Sequence, residues 1–313
     1  MTKQKDAARQ KIVIAHRGAS GYLPEHTLAA KAMAYAQGVD YLEQDLVMTQ
    51  DGQLVVLHDL FLDDVSDVAV RFPNIQREDG RHYVIDLTLE QLLTLHMTER
   101  VDAHGTPRFP NRFPPKQSHF TANTFNQEIE LLQGLNCSTG GLVGLYPEIK
   151  SPEFHHKHGL DLASAMLDAL KVYGYVERDS GAIVQSFDAT ELQRVKHELM
   201  PVRELDLPLT QLLSGAETSH LGLAEIATYA DNIGVSLAML FGNNSQSVSV
   251  EPTDVVKQAH EHGLAVHVYT LRADQLPSQF TDLDDLHQFV FECVDVDGVF
   301  SDFPDRSVRF LNR

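Results

Sequence analysis

The segment IVIAHRGASGYLPEHTLAAKAMAYAQGVDYLEQDLV, residues 12–47, contains one complete strand–helix–strand repeat. IVIAH (12–16) and DYLEQDLV (40–47) are short apolar runs typical of buried strands. Between them, TLAAKAMAYAQG (27–38) is rich in strong helix formers and ends at Gly38, which suits a left-handed helix C-cap. A helical crossover of this kind joins parallel strands. The segment therefore predicts a parallel β-sheet covered by helices.

The same alternation continues along the chain. Further strands are predicted at VGLYPEI (143–149), AIVQSF (182–187), VRELDL (202–207), NIGVSL (232–237), LAVHVYT (264–270) and DGVFSDF (297–303). Each is followed by a helical pattern, and the last helix is expected to begin near Pro304. Eight strands that are each followed by a helix predict an α/β fold of the (β/α)8 TIM-barrel class.

An additional apolar run, QLVVLHD (53–59), follows the second strand after the short connection TQDG. An Asp-Gly turn of this length can join antiparallel strands but is too short for a parallel crossover. We therefore expect the second strand to pass the barrel rim, turn at Gly52, and return His58 to that rim. The long, partly proline-rich region that follows, residues 60 to about 118, predicts a small insertion over the same face of the barrel.

Charge composition limits the classes of partner. The chain of 313 residues has 25 Lys and Arg and 44 Asp and Glu, which gives a formal net charge of −19. This excess of negative charge argues against a nucleic-acid partner and against stable association with an anionic membrane. An anionic substrate would need a locally positive site or a bound cation. The absence of an 18-residue apolar run also predicts no transmembrane helix.

The polar start MTKQKDAARQ is interpreted as disordered, or as a start that replaces a removed leader, and residues 11–313 as one domain. Cys137 and Cys293 fit no metal-binding spacing and are expected to be buried free thiols.

Acidic side chains lie near the C-terminal ends of two predicted strands, where barrel enzymes place their reactive groups. Glu43 and Asp45 are two residues apart and so point to the same face of their strand, and Glu148 ends the next barrel strand. Carboxylates without cysteine are hard oxygen ligands, which suit Ca²⁺ or Mg²⁺ better than zinc. The pattern predicts a site for one divalent cation.

Basic groups are expected at the same rim. His16 and His58 can form an acid–base pair near neutral pH, because unperturbed histidine titrates in that range. Arg17 offers a planar fork of donors that matches a phosphate, and Lys150 offers a point charge. Together with a divalent cation, these groups predict phosphoryl chemistry on an anionic substrate.

The motifs AHRGASGYLPEHT, YLEQDLVMTQDGQLVVLHD, LYPEIK, QSFDA and GVFSDFP resemble, in this order, those of the glycerophosphodiester phosphodiesterases, most closely the bacterial periplasmic type. The resemblance runs from about residue 11 to the C-terminus. It implies a (β/α)8 barrel with a small insertion after the His-Asp segment. It also implies hydrolysis of small-molecule glycerophosphodiesters to sn-glycerol 3-phosphate and an alcohol, with one divalent cation.

The resemblance implies a role for individual residues as well. It implies that Glu43, Asp45 and Glu148 are the metal ligands and that His16 and His58 are the acid–base pair. It also implies that Arg17 contacts the phosphate and that Lys150 contacts phosphate or glycerol oxygens. Phe187 and Tyr269 are expected to form the wall beside the glycerol carbons, and Glu25 is expected near the site. Many members have Asn where this chain has His26, and no catalytic role is assigned to it.

The mechanism implied has two steps. One histidine, taken as His16, deprotonates the glycerol 2-hydroxyl, which attacks phosphorus, while His58 protonates the leaving alcohol. Water then opens the cyclic phosphate. Direct attack by water on the diester stays open, as does the assignment of acid and base to the two histidines.

Two other functions fit parts of the pattern. A phospholipase C- or D-like activity on intact lipid is disfavoured because the chain is acidic and shows no basic amphipathic helix. A non-catalytic binding protein, such as a surface protein that binds an immunoglobulin, would be expected to have lost one of the site residues.

The resemblance further implies a periplasmic location, with the cytoplasm as the alternative, and a homodimer. The alcohol of the substrate is not specified.

Overall fold

The computed structural model describes residues 11–117, 119–215, 222–241 and 251–313. The polar first ten residues, interpreted above as disordered or as a replaced start, lie outside these ranges. The strands are β1 (Ile12–Ala15), β2 (Tyr41–Met48), β3 (Leu54–Val56), β4 (Gly144–Ile149), β5 (Val184–Ser186), β6 (Leu209–Leu213), β7 (Asn232–Ser236), β8 (Ala265–Leu271) and β9 (Gly298–Ser301).

The α-helices of the described residues alternate with these strands. They are α1 (Leu28–Ala36), α2 (Val68–Arg71), α3 (Leu89–Leu92), α4 (Phe125–Thr139), α5 (Pro152–Lys157), α6 (Leu162–Val172), α7 (Ala189–Arg194), α8 (Met200–Arg203), α9 (Leu223–Ile226), α10 (Val255–Glu261), α11 (Leu283–Gln288) and α12 (Pro304–Leu311). Short 3₁₀ turns lie at Pro73–Ile75, Val84–Asp86 and Leu237–Leu240, and π-helical turns at Val195–Leu199 and Phe289–Cys293. None of the helices in the described ranges is long and apolar enough to cross a membrane.

Eight parallel strands close into a barrel. The sheet runs in the order β1-β9-β8-β7-β6-β5-β4-β2-β3, and β1 also pairs with β2, which closes the ring. The (β/α)8 fold is therefore confirmed. The helices cover the outside, where most of the apolar core lies, and Ile14, Tyr146, Ile183 and Phe300 form a smaller cluster inside the barrel.

The predicted hairpin is also confirmed. β3 runs antiparallel to β2, with Val47 opposite Val55, and the turn between them contains Gly52 at φ +74°. Only glycine adopts this left-handed conformation without steric cost. The return strand brings His58 back beside the C-terminal end of the barrel strands.

One predicted strand is wrong. VRELDL (202–207) was assigned to a strand, but the fifth barrel strand is β6, Leu209–Leu213. Pro201 lies in the first turn of α8, and Glu204 then adopts a left-handed conformation with φ 57°. The alternating Leu205 and Leu207 are buried in the loop that leads to the strand, so the same period of two arises without strand pairing.

Both cysteines are free, as predicted, but both are exposed and not buried. Cys137 lies on the outer face of α4, and Cys293 lies near the end of the π-helical turn that follows α11. The preference of cysteine for protein interiors is an average over proteins, and helix orientation overrides it here.

The region after the hairpin has its own apolar cluster. Leu62, Val65, Val68, Val84, Leu87, Leu92, Leu95 and Met97 pack with Val47 and Val55 of the hairpin. The insertion is therefore anchored to the hairpin side of the barrel by buried apolar contacts, which hold its polar side chains against the C-terminal ends of the strands.

Candidate active site

The site stands on the inward-facing positions of the barrel strands. Side chains alternate along a strand, so β2 directs Tyr41, Glu43 and Asp45 inward, and β4 directs Tyr146 and Glu148 inward. In each strand the first of these residues belongs to the interior apolar layer, and the following ones reach the open end. Strand register therefore places the polar site next to an apolar layer of side chains inside the barrel.

Three carboxylates converge there. Asp45 and Glu148 are direct neighbours in the β2–β4 register, and single oxygens of Glu43, Asp45 and Glu148 all lie within 4.8 Å of one another. Their residues are only 3%, 1% and 5% exposed. Such a buried set of oxygen donors fits a hard divalent cation.

The negative charges of Glu43 and Glu148 are poorly balanced by the protein itself. Burial, together with the neighbouring Asp45, raises the pKa of Glu43 well above its usual range. Burial likewise raises the pKa of Glu148 to about 8, although Lys150 opposes the shift with its Nζ 2.9 Å from Glu148 Oε1. The buried Asp45 Oδ1 accepts no hydrogen bond from the described residues. A divalent cation would satisfy this oxygen and relieve the mutual repulsion.

His26 orients the same cluster. Its Nε2 lies 2.7 Å from Asp45 Oδ2, and the residue is 2% exposed. Burial would raise the pKa of Asp45, but Lys150, His58 and His26 lower it well below its usual range. His26 therefore positions one carboxylate without facing the cavity, which agrees with its exclusion from the catalytic residues.

The two predicted histidines line the same cavity, and each is held by a carboxylate. His16 Nδ1 lies 2.6 Å from Asp302 Oδ1, and His58 Nδ1 lies 2.7 Å from Asp59 Oδ1. In both rings Nε2 is left for the site; that of His16 lies 4.0 Å from Glu43 Oε2. The carboxylate partner fixes the ring orientation and the tautomer that carries the proton on Nδ1.

Both histidines are shifted towards the neutral form. Burial, reinforced by Arg17, lowers the pKa of His16 to about 4, against the opposing effect of Asp302. Burial and Arg17 also lower the pKa of His58. A neutral imidazole whose Nδ1 donates a hydrogen bond has a free lone pair on Nε2, so each ring can accept a proton there.

The turn after β1 explains the HRG motif. Arg17 has a left-handed backbone with φ 61°, and its N–H donates to Glu43 Oε2 at 2.7 Å. A Cβ on Gly18 would lie 2.8 Å from the backbone carbon of Ala30, so a larger residue does not fit. The turn thereby aims the Arg17 guanidinium into the cavity, where Nη1 donates to both carboxylate oxygens of Glu25 at 3.0 and 3.1 Å.

A cavity of about 400 Å³ opens in front of these groups. All of the residues nominated from the sequence line it, except Glu25, which lines an adjoining cavity of about 140 Å³. Phe187 and Tyr269 form an apolar wall, with their rings edge to face at 6.0 Å. The Tyr269 hydroxyl donates to the Leu213 carbonyl, which fixes the ring in this wall.

Several residues of the site were missed or left without a role. Asp59 and Asp302 lie at the ends of the predicted strands 53–59 and 297–303, but no role was assigned to them. Arg100 and Arg112, from the insertion, reach these same two carboxylates. Nothing in the local sequence of the insertion marks them, because it contains several other arginines of ordinary surface type.

A second group of potential metal ligands in the described residues, His156, Asp161 and Glu191, is already neutralised. Arg194 forms an ion pair with Asp161 and lies 2.7 Å from Glu191 Oε1. We interpret this group as a salt-bridge network.

Known proteins resemble this chain over nearly its whole length. The model of the Glycerophosphoryl diester phosphodiesterase family matches residues 16–306. A glycerophosphodiester phosphodiesterase of Haemophilus influenzae is 45% identical, with 96% of this chain and 90% of that protein covered. One of Treponema pallidum is 38% identical, with 98% of this chain and 93% of that protein covered.

A solved structure of an Oleispira antarctica phosphodiesterase, in complex with the product sn-glycerol-3-phosphate, has a TM-score of 0.67 to this chain. It is 20% identical, and the match covers 97% of this chain and 98% of that one. At this identity the likeness supports the barrel fold.

Proposed function

This chain belongs to the glycerophosphoryl diester phosphodiesterase family and is a phosphoric diester hydrolase, and we propose that it hydrolyses glycerophosphodiesters to sn-glycerol 3-phosphate and an alcohol at the site described above. One observation carries the proposal. A three-carboxylate cluster, two histidines, Arg17 and Lys150 line the same cavity, and they come from the ends of β1, β2 and β4 and from the hairpin. This combination matches the needs of an anionic diester better than those of another substrate class.

Glu43, Asp45 and Glu148 would hold one divalent cation, Ca²⁺ or Mg²⁺, because all three offer buried hard oxygen donors. When bound, the cation supplies positive charge for a phosphate oxygen and acidifies a neighbouring hydroxyl. Lys150 and Arg17 add charge on the same side of the cavity. Phe187 and Tyr269 leave room for the glycerol carbons against an apolar wall.

The histidines divide the proton transfers in our proposal. His16 Nε2 takes the proton of the glycerol 2-hydroxyl as its oxygen forms a bond to phosphorus. The bond from phosphorus to the alcohol oxygen breaks, and His58 Nε2 gives that oxygen a proton. His58 acquires its proton when the anionic diester binds beside it, since a negative charge nearby favours imidazolium. Water then opens the cyclic phosphate with the two roles reversed.

Direct attack by water on the diester gives the same products, and a substrate analogue separates the two routes. A glycerophosphodiester that lacks the 2-hydroxyl should not be cleaved if this hydroxyl is the nucleophile. Cleavage at a similar rate would favour direct attack by water.

The first test of the function is release of sn-glycerol 3-phosphate from glycerophosphocholine, followed with a coupled dehydrogenase. The assay is run with chelator, then with Ca²⁺ or Mg²⁺, and in parallel on phospholipid vesicles. We expect metal-dependent release from the small diester and none from vesicles. Hydrolysis of vesicle lipid alone would indicate a function on intact lipid. No hydrolysis of either substrate would favour a binding protein.

We extend the proposal to location and assembly on the resemblance alone. The periplasm is the proposed compartment, with the cytoplasm as the alternative, and cell fractionation tests it. A homodimer is the proposed oligomeric state, which light scattering of the purified chain tests.

A further inference from the structure

The insertion, residues 60–118, places one arginine behind each histidine–carboxylate pair. We infer that Arg100 and Arg112 are positioning residues, which hold Asp59 and Asp302 so that these carboxylates orient His58 and His16. The inference deepens the proposed function and rests on it, since it concerns the same two proton transfers. It makes the insertion a part of the catalytic apparatus and not only a cover over the barrel.

On the hairpin side, the chain of contacts starts at His58. Its Nδ1 lies 2.7 Å from Asp59 Oδ1, and Asp59 Oδ2 accepts a hydrogen bond from Arg100 Nη1 at 2.5 Å. Arg100 also donates from Nη2 and Nε to the two oxygens of Glu25, at 2.7 and 3.2 Å. The same Glu25 accepts from Arg17. Arg17 keeps its own two contacts with Glu25 when Arg100 is removed.

On the barrel side, the arrangement is repeated with other partners. His16 Nδ1 lies 2.6 Å from Asp302 Oδ1, and Asp302 Oδ2 accepts from Arg112 Nη2 at 2.7 Å. Arg112 also forms a two-pronged ion pair with Asp274, at 2.8 and 3.0 Å. Its guanidinium carbon lies 3.7 Å from the ring centre of Phe109, which belongs to the same insertion.

In both cases the carboxylate is held at both oxygens. One oxygen binds the histidine and the other binds a guanidinium, so rotation of the carboxylate breaks two charge-assisted hydrogen bonds at once. Side chains that orient a reactive group in this way commonly change activity 10- to 100-fold when they are removed.

All three nitrogens of each guanidinium group donate to protein oxygens. Arg100 engages Glu25 and Asp59 with its Nε, Nη1 and Nη2, and its side chain is 8% exposed. Arg112 engages Asp274, Asp302 and the Ser20 carbonyl, and its side chain is 4% exposed. Both are therefore suited to hold other residues and not to bind a phosphate.

The two arginine clamps, Arg100 on Asp59 and Arg112 on Asp302, differ in how many arginines hold the carboxylate. Asp302 has a second arginine, Arg272, whose Nε donates to Oδ2 at 2.9 Å. Among the described residues, Asp59 is paired with Arg100 and His58 and with no other charged group. Loss of Arg100 should therefore disturb its histidine more than loss of Arg112.

The experiment compares two substrates of the holoenzyme at saturating metal. The alcohol released from glycerophosphocholine is a poor leaving group and must be protonated as it leaves. Glycerol 3-phospho-4-nitrophenol instead releases a phenolate, which is stable without a proton. With His58 as the acid, Arg100→Gln should lower kcat for the choline diester about 10- to 100-fold and for the nitrophenyl diester by less than about 3-fold. KM and the metal concentration for half activity should stay near wild type. Arg112→Gln should lower kcat less, because Arg272 remains.

A double-mutant cycle shows whether Arg100 acts through Asp59. Asp59→Asn combined with Arg100→Gln should be no slower than the worse single variant, because both changes break one unit. Arg100→Lys, which replaces a fork by a point charge, should recover part of the rate and serves as the second variant if Arg100→Gln does not fold. Arg77→Gln is the matched control, because Arg77 forms a two-pronged pair with Asp86 in the same insertion, away from the histidines.

The outcomes separate the inference from the proposed function. The positioning role would be overturned if Arg100→Gln lowered kcat equally for both substrates, or if it raised KM and left kcat unchanged. It would also be overturned if the effects of Asp59→Asn and Arg100→Gln were additive in the double variant. If the loss of kcat that is specific to the choline diester occurs in Arg112→Gln and not in Arg100→Gln, the positioning role is supported. In that case His16 is the acid and His58 is the base. If the wild-type enzyme released no sn-glycerol 3-phosphate, the proposed function itself would fail.

Discussion

The barrel and the insertion contribute different groups to one site. The barrel strands and their ends supply Glu43, Asp45, Glu148 and Asp302, and the insertion supplies Arg100 and Arg112. The barrel carboxylates are placed by strand register, so a shift of one residue would turn them out of the site. The arginines are placed by packing of the insertion on the hairpin. The barrel therefore provides reacting groups, and the insertion provides the arginines that hold Asp59 and Asp302 in place.

The largest expected effect comes from the barrel. Glu148→Gln removes one of three ligands for the cation and should lower kcat/KM on the order of 10³-fold or more, because charge stabilisation worth several kcal/mol is lost. Release of sn-glycerol 3-phosphate measures it. Glu153→Gln, a nearby exposed carboxylate paired with Lys157, is the matched control and should leave the rate unchanged. Near-full turnover of Glu148→Gln in metal-depleted buffer would remove the carboxylate cluster from the mechanism.

The next effect tests the hairpin, where barrel and insertion meet. His58→Ala should lower kcat for glycerophosphocholine about 10²- to 10³-fold, since a general acid contributes on this scale. Binding of the metal, measured by calorimetry, should stay near wild type. His104→Ala, in an exposed loop of the insertion, is the control. An unchanged rate with this poor leaving group would exclude His58 as the acid.

A third prediction compares the two apolar cores. Leu167→Ala, in the barrel helix α6, and Leu92→Ala, in the insertion, each remove a fully buried side chain and should cost about 2–5 kcal/mol of unfolding free energy. Urea denaturation measures this cost. At low temperature, where both variants remain folded, we expect kcat to fall for Leu92→Ala alone, because a loosened insertion releases the arginine clamps. Equal kcat values for the two variants would argue that the insertion is only a cover.

The smallest expected effect lies in the outer helix α11, which contains His287. His287 is fully buried, lies 2.8 Å from Ser307 Oγ, and has its pKa lowered from 6.5 to about 4, chiefly by burial. The unfolded chain therefore binds more protons between pH 6.5 and 4, and this part of the stability is present above pH 6.5 and is lost as the pH falls towards 4.

His287→Phe should remove that dependence, because phenylalanine fits beside Phe291 and Phe310 without titrating. Between pH 7 and 4.5 the variant should lose about 2 kcal/mol less unfolding free energy than the wild type. Urea midpoints at the two pH values measure the difference. Identical slopes would show that His287 is not buried in its neutral form.

The sequence was sufficient for seven of the eight barrel strands. The alternation of apolar strands and helices predicted the fold, and the period of two along β2 placed Glu43 and Asp45 on one face. The error at VRELDL shows the limit of such patterns. Leu205 and Leu207 alternate because a loop buries them, and hydrophobic period alone does not report hydrogen-bond pairing.

What the sequence determined by itself is local: strand and helix periods, the Gly52 turn, and the identity of the side chains at the strand ends. Tertiary structure alone decided which of several arginines in the insertion lie behind Asp59 and Asp302, and that His26 supports Asp45. These contacts join residues that lie far apart in the chain or across a loop, such as Arg112 and Asp302. Ion pairs of this kind leave no periodic signal, because their geometry arises from how buried surfaces pack and not from backbone repeat.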